Sequence, residues 1–167
     1  MVPYKIFAIN PGSTSTKIAL FEGNQPVFSS NVAHDAEVLK QYREISDQFD
    51  YRKETILEEV EKAGVSLEGV DAFSARGGGL VSVEGGVYVV NDKLLEHARA
   101  GFSVKHPAML GAQLADAFSK TYGGNAYVVN PPDVDEFSDL ARVTGWKGVY
   151  RESRIHALNQ KEKLWKC

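Results

Sequence analysis

Residues 4–22 have the sequence Y-K-I-F-A-I-N-P-G-S-T-S-T-K-I-A-L-F-E, in which two β-prone runs flank a polar turn. Tyr4 to Asn10 has the composition of a buried strand, and Pro11-Gly12-Ser13 supplies turn residues directly after it. Thr16 to Phe21 predicts a second strand, and Pro26 to Val32 predicts a third. The opening of the chain is therefore predicted to be three strands joined by short turns.

The remainder of the chain alternates between helical and extended patterns. In chain order it predicts a helix from Asp47 stopped at Gly64, a strand Val70–Ala75, a strand Gly86–Asn91, a helix capped by Asp92 and running through Ala100, a helix from Pro107 to Gly123, and a strand Ala126–Asn130. Three consecutive strands followed by alternating elements predict an α/β domain with a mixed rather than a purely parallel sheet.

The first predicted helix has a recognisable apolar face. The pattern places Arg52 off that face, together with Lys53 and four nearby glutamates. The residues expected to pack against the sheet are Phe49, Ile56, Leu57, Val60 and Ala63.

Composition excludes several function classes. The 167 residues, 43% of them hydrophobic and 25% charged, suit one globular domain with a real core. A net charge of -3 gives no basic field for nucleic acid or anionic membranes, so a small-molecule partner is expected. The single Cys167 excludes a disulfide framework, and the first apolar run is too short for a membrane span. These features predict a cytoplasmic protein.

The turn from Asn10 to Lys17 is the segment best suited to chemistry. Gly12 permits a backbone path that turns N–H groups inward, and the hydroxyls of Ser13, Thr14 and Ser15 add hydrogen-bond donors. Lys17 can bring a positive charge to an anion, so the turn suits phosphate. It is not a Walker loop, which needs G-K-[ST] at the start of a helix. An ordinary polar hairpin is the alternative, because these are also common turn residues.

Six motifs together resemble the butyrate kinases and, more loosely, the acetate and propionate kinases, which belong to the superfamily of actin, sugar kinases and chaperone ATPases. The motifs are I-N-P-G-S-T-S-T-K from Ile9, A-R-G-G-G-L from Ala75, E-G-G-V-Y-V-V-N from Glu84, L-G-A-Q-L-A from Leu110, V-D-E-F-S-D-L-A-R-V-T-G from Val134, and I-H-A-L-N-Q-K from Ile155. The resemblance implies an actin-like ATPase (ribonuclease H-like) lobe with a mixed sheet flanked by helices. It also implies that residues 1–161 are an amino-terminal acyl-kinase lobe, that 162–167 are a divergent tail, and that a carboxy-terminal nucleotide-binding lobe is absent.

The resemblance assigns roles to particular residues and implies ATP and Mg²⁺ as cofactors. It implies that Arg76 binds the substrate carboxylate and that His106 and His156 support the phosphoryl group in the transition state. His34 and His97 match no family position and receive no role. The residues implied to bind the transferring phosphoryl group or its magnesium are Asn10, Gly12, Ser13, Thr14, Ser15 and Lys17, with Asn10 as the candidate metal ligand.

The sequence also departs from the family pattern. Asn130 stands where relatives carry an aspartate before proline, so a negative charge is lost, unless Asp133 or Asp135 replaces it. Met109 falls in H-P-A-M-L-G, where relatives tend to have H-A-S-N-L-G.

Two hypotheses therefore stand. One is a butyrate kinase acting on butanoate, with acetate or propionate kinase as the nearest alternative. The other is a non-catalytic degenerate fragment or interaction module. The isolated chain is expected to be inactive, and a homo-oligomer or a separately encoded second lobe is a possible partner.

Overall fold

The computed structural model describes residues 2–153 and 155–165, so Cys167 lies outside the described residues. The strands are β1 (Lys5–Pro11), β2 (Ser15–Glu22), β3 (Gln25–Ala33), β4 (Ala72–Ala75), β5 (Val87–Val89) and β6 (Asn125–Val129). The helices are α1 (Ala36–Leu39), α2 (Phe49–Lys62), α3 (Asp92–Ala100), α4 (Leu110–Tyr122), α5 (Asp139–Arg142) and α6 (Ala157–Trp165). Short 3₁₀ turns at Ile45–Gln48 and Pro107–Met109 lead into α2 and α4.

The described strands form a six-stranded mixed sheet in the order β3-β2-β1-β4-β6-β5. The first three strands pair antiparallel, β1 pairs parallel with β4, and β4 pairs parallel with β6. β5 closes the far edge antiparallel to β6. The predicted mixed sheet flanked by helices is confirmed.

One face of the sheet is covered by α2 and α4, and the main core lies there. Phe7, Phe73 and Phe118 meet in this core with ring centroids 6.0 to 6.2 Å apart, each ring almost completely buried. Because side chains alternate along a strand, Ala8 and Asn10 on β1 face the opposite side of the sheet. That opposite face carries the larger cavity described below.

The structure corrects several local predictions. Asn91, not Asp92, caps α3: the Asn91 side-chain oxygen accepts a hydrogen bond from the Leu94 N–H at 2.9 Å. Asp92 is instead the first helical residue, where a carboxylate also interacts favourably with the helix dipole. Ala63 is exposed, although it was expected on the apolar face of α2, and Arg52 is buried, although it was expected off that face. α1, α5 and α6 were not predicted.

Candidate phosphate and carboxylate site

The carboxyl ends of β1 and β4 lie side by side because the two strands pair parallel. The β1–β2 turn starts at the first of these ends, where the Gly12 N–H donates to the Ser15 carbonyl at 2.7 Å. Arg76 follows the second end, and its N–H donates to the Ile9 carbonyl at 3.2 Å. The fold thus brings the predicted phosphate turn and the predicted carboxylate-binding arginine together at the carboxyl ends of two central strands.

Arg52 supports the turn from the helix-covered side of the sheet and is completely buried. Its guanidinium donates to the Gly12 carbonyl at 2.9 Å and to the Ser13 carbonyl at 3.0 Å. Sequence reasoning missed this residue. The available signal was its spacing from Ile56 and Val60, since positions four and eight residues apart share a helix face, and these three are the buried residues of α2.

His34 is a second buried residue that received no role from the sequence. Its Nε2 lies 2.8 Å from the hydroxyl of Thr16, which is also buried. Burial, and then the nearby positive charge of Arg52, lowers the pKa of His34 to about 4. The imidazole is therefore neutral at neutral pH. His34 stands two residues after Val32, which is buried. Because side chains two residues apart in an extended segment lie on the same face, this spacing was the signal that His34 points inward.

Arg76 and His156 contact each other directly. The Arg76 guanidinium donates to Nδ1 of His156 at 2.6 Å, so this ring nitrogen acts as the acceptor. In a neutral imidazole the proton then resides on Nε2, which is left as a donor. Partial burial lowers the pKa of Arg76 from its usual value, and the side chain remains charged at neutral pH.

His106 has a similar arrangement. It caps the 3₁₀ turn before α4, where its Nδ1 accepts a hydrogen bond from the Ala108 N–H at 3.1 Å. Partial burial and then the charge of Arg76 lower the pKa of His106, which favours the neutral form with its proton on Nε2. Both predicted histidines thus have Nδ1 engaged and an Nε2–H group available as a donor.

Two cavities of about 660 and 620 Å³ meet at these ends of β1 and β4. Both are lined by Asn10, Lys17, Arg76 and His156, and the smaller one also by His106. None of the residues that line either cavity is Asp or Glu. Lys17 forms no ion pair with any residue that the structure describes. The shared region therefore has excess positive charge and is suited to an anion.

The structure does not bring every predicted residue into this region. Gly12 and Ser15 line the smaller cavity, whereas Ser13 and Thr14 lie exposed outside both linings. Asn130 also lies outside both linings, with a φ of 41° that is exceptional among the described non-glycine residues. Its side-chain oxygen is buried, and none of the described residues donates a hydrogen bond to it.

Asp133 and Asp135 do not take the place of the missing aspartate in the cavities. Asp133 is buried and accepts a hydrogen bond from the Ser103 hydroxyl. Asp135 accepts two hydrogen bonds from Arg142, at 2.7 and 2.9 Å, and these lower the pKa of its carboxyl. Neither residue belongs to the lining of either cavity.

Gly77, directly after Arg76, is packed closely against neighbouring elements, whereas Gly78 and Gly79 line the smaller cavity. A Cβ on Gly77 would lie 2.5 Å from Cγ1 of Val128, and its φ of +69° also disfavours other residues. Gly111 on α4 packs against the Gly77 backbone in turn, with 3.2 Å from a built Cβ to the Gly77 nitrogen. These contacts let the start of α4, with His106 before it, approach the end of β4.

The residues present do not by themselves form a magnesium site. Mg²⁺ prefers carboxylate oxygens, and the cavity linings contain none. The part of the chain that the structure describes also holds no group of three or more His, Cys, Asp or Glu residues placed to bind a metal. Asn10 as a metal ligand stays a prediction. Separately, none of the described helices is long and apolar enough to cross a membrane.

Comparison with known proteins defines the fold. No protein-family model matches the sequence. The acetate kinase of Entamoeba histolytica matches at a TM-score of 0.50 and 14% identity, over 86% of this chain and 40% of that one. The propionate kinase of Francisella tularensis matches at 0.41 and 14% identity, over 96% and 43%, and the Aquifex aeolicus PPX-GPPA enzyme at 0.45 and 9%, over 80% and 54%.

The fold is that of the actin-like ATPases, as the resemblance implied, and this assignment rests on the acetate kinase match. At 14% identity the match defines the fold alone. The chain spans about half, or less, of the length of the solved structures that it matches.

Proposed function

We propose that this chain is the carboxylate- and phosphate-binding lobe of an acyl kinase that transfers the terminal phosphoryl group of ATP to butanoate. The observation that carries the proposal is the clustering of Lys17, Arg76, His106 and His156 around one cavity without an acidic lining residue. Two anions must be brought together for such a transfer, so a site of positive charge and hydrogen-bond donors is what the reaction needs.

In this proposal each side chain has a role that follows from its position. The Arg76 guanidinium binds the butanoate carboxylate, and Lys17 with the β1–β2 turn binds the phosphoryl group. A carboxylate oxygen attacks the terminal phosphorus, the bond from phosphorus to the ADP oxygen breaks, and ADP leaves with that electron pair. No proton transfer is required, because the attacking carboxylate is already ionised. The Nε2–H groups of His106 and His156 hydrogen-bond the phosphoryl oxygens.

The choice of butanoate is supported by the apolar part of the larger cavity. Starting from Arg76, this cavity extends over the face of the sheet opposite α2 and α4. Its apolar side chains include Ala8, Ala19, Phe21 and Val129. A short alkyl chain whose carboxylate is held at Arg76 would be removed from water along this wall, and each buried methylene contributes about 0.8 kcal/mol.

The test is acyl hydroxamate formation from ATP, hydroxylamine and a carboxylate, measured for the chain mixed with the carboxy-terminal lobe of an acyl kinase. We expect a higher kcat/KM for butanoate than for acetate, and loss of turnover in Arg76→Ala. Arg99→Ala, at an exposed position on α3, is the matched control and should leave turnover unchanged. Equal turnover in Arg76→Ala and the unaltered chain would contradict the proposal.

A non-catalytic module is the second candidate, and Asn130 favours it. Its buried side-chain oxygen has no hydrogen-bond partner among the described residues, at the position where the family pattern led us to expect an aspartate. The same assay on Asn130→Asp separates the two candidates. Turnover that appears only in Asn130→Asp would support a lobe that has lost catalysis, whereas turnover in the unaltered chain would exclude it.

A further inference from the structure

Arg52 is the most completely buried cation that the structure describes, and the proposed reaction does not use it directly. The side chain is 0% exposed, and its pKa, lowered by burial to about 10, still leaves it charged at neutral pH. No carboxylate of a described residue lies within ion-pair distance of it. A buried charge without a counter-charge is costly, so its retention calls for a compensating interaction.

The donors of Arg52 are used almost entirely on the β1–β2 turn. Nη1 donates to the Gly12 carbonyl and, at 3.4 Å, to the Thr16 hydroxyl, while Nη2 donates to the Ser13 carbonyl. Nε donates to the side-chain oxygen of Gln48 at 3.1 Å, one turn earlier on the chain. A single planar guanidinium group therefore holds two consecutive peptide carbonyls of the turn.

Fixing these carbonyls also fixes the next two amides. In a trans peptide the C=O and the following N–H point in opposite directions, and the described chain has no cis peptide. With the Gly12 and Ser13 carbonyls directed at Arg52, the N–H groups of Ser13 and Thr14 point away from it. No described residue accepts a hydrogen bond from either amide. Two successive free N–H groups form the type of concavity that binds an anion.

The surroundings are consistent with one positive centre behind the turn. His34 lies beside Thr16 but is neutral, so it adds no charge. Gly12 and Ser15, which flank Ser13 and Thr14 in the chain, line the smaller cavity, so the two amides adjoin that lining in sequence. An anion bound there would be stabilised by the two N–H groups and by the guanidinium behind them.

We propose that Arg52 is the positioning residue of the phosphate turn: it holds the Gly12 and Ser13 carbonyls on the buried side so that the Ser13 and Thr14 amides bind a phosphoryl oxygen. This inference rests on the proposed function, in which the turn binds the transferring phosphoryl group. Arg52 does not touch the phosphoryl group. Its contribution is the orientation of the amides and a positive charge behind them.

The test is a titration of the ¹⁵N-labelled full chain with inorganic phosphate at constant ionic strength, followed by NMR. We expect the Ser13 and Thr14 amide signals to shift saturably, and the Arg52 Nε–H signal to shift in step with them. In Arg52→Met the two amides lose their orientation and with it their hydrogen bonds to the charged phosphate. The dissociation constant for phosphate should therefore rise about tenfold or more. Arg52→Lys should recover part of the affinity, because it restores the positive charge but not the planar group that donates to both carbonyls.

The controls separate failure of the inference from failure of the proposed function. Arg99→Met is the matched exposed variant and should bind phosphate as the unaltered chain does. If Lys17→Ala weakens binding while a folded Arg52→Met binds normally, the role of Arg52 is overturned and the phosphate site stands. If the unaltered chain shows no saturable shift, the phosphate site fails and the inference fails with it. If both Arg52 variants unfold, the Arg52 Nε–H signal decides, and the absence of a phosphate-dependent shift there overturns the inference.

Discussion

The strand-end region, defined as residues 5–34 and 72–79 with helices α2 and α4, contrasts with the peripheral segment, residues 135–153. In the strand-end region Asn10 and Lys17 project from paired strands and Arg76 follows directly after β4. Buried Arg52 and His34 form hydrogen bonds to the β1–β2 turn and to Thr16. The peripheral segment contains one four-residue helix and exposes Leu140, Trp146 and Tyr150, each at least 67% accessible. The candidate anion site is therefore built around the ends of sheet strands, with His106 added from the turn before α4 and His156 from beyond the peripheral segment.

The largest expected effect separates two glycines, one in each region. Gly77→Ala places a Cβ 2.5 Å from Val128 at a φ of +69°, so we expect a loss of about 3 kcal/mol in the free energy of unfolding. Gly145→Ala, in the peripheral segment, meets nothing within 4 Å and is the matched control. Chemical denaturation of both variants checks the prediction. Equal stability of the two would contradict the close packing of Gly77 against Val128 on β6.

The next effect concerns pH and the buried histidine of the strand-end region. His34 has a pKa of about 4 in the folded chain, below its unfolded value near 6.5, so the folded state opposes protonation. The contribution of neutral His34 to the free energy of unfolding is complete above about pH 6.5. As the pH falls towards 4 this contribution is lost, which lowers the free energy of unfolding by about 2 kcal/mol. His34→Gln should flatten this part of the stability profile measured by denaturation at several pH values. An unchanged profile in His34→Gln would show that His34 is not buried as a neutral base.

The smallest effect is expected in the peripheral segment. Leu140 is 83% exposed and Trp146 is 79% exposed, so replacing either by Ser removes little packing. Leu140→Ser and Trp146→Ser should each change the free energy of unfolding by less than about 0.5 kcal/mol. A loss above 1 kcal/mol in dilute protein would mean that these side chains are covered in solution, and the contrast between the two regions would then weaken.

Much of the sheet could be predicted from the sequence because its signals are local. Strand composition, the turn at Pro11-Gly12 and the helix ends at Gly64 and Gly123 each appear within a few residues. The predicted mixed sheet was therefore confirmed. α5 was missed because it is only four residues long, too short for a periodic pattern to emerge.

The site was harder to predict where it depends on contacts between distant residues. Arg52 is 40 residues from Gly12, and an arginine beside lysine and glutamates has the pattern of a solvated helix face. Its spacing from Ile56 and Val60 indicated the buried face of α2, but the turn carbonyls that accept its hydrogen bonds are far away in sequence. The resemblance to acyl kinases identified Arg76 and the two histidines, but not the contact of Arg76 with His156, because that contact joins residues 80 positions apart.

The central claim is that one cavity binds a carboxylate at Arg76 and a phosphoryl group at Lys17. Its most direct test is isothermal titration calorimetry of the full chain with the phosphonate analogue of butanoyl phosphate, in which an acyl carbonyl stands in place of the carboxylate and is linked to a phosphonate group. We expect saturable binding that Arg76→Ala and Lys17→Ala each weaken about tenfold or more, with Arg99→Ala unchanged. Absence of binding by the unaltered chain, or equal binding by Arg76→Ala, would contradict it.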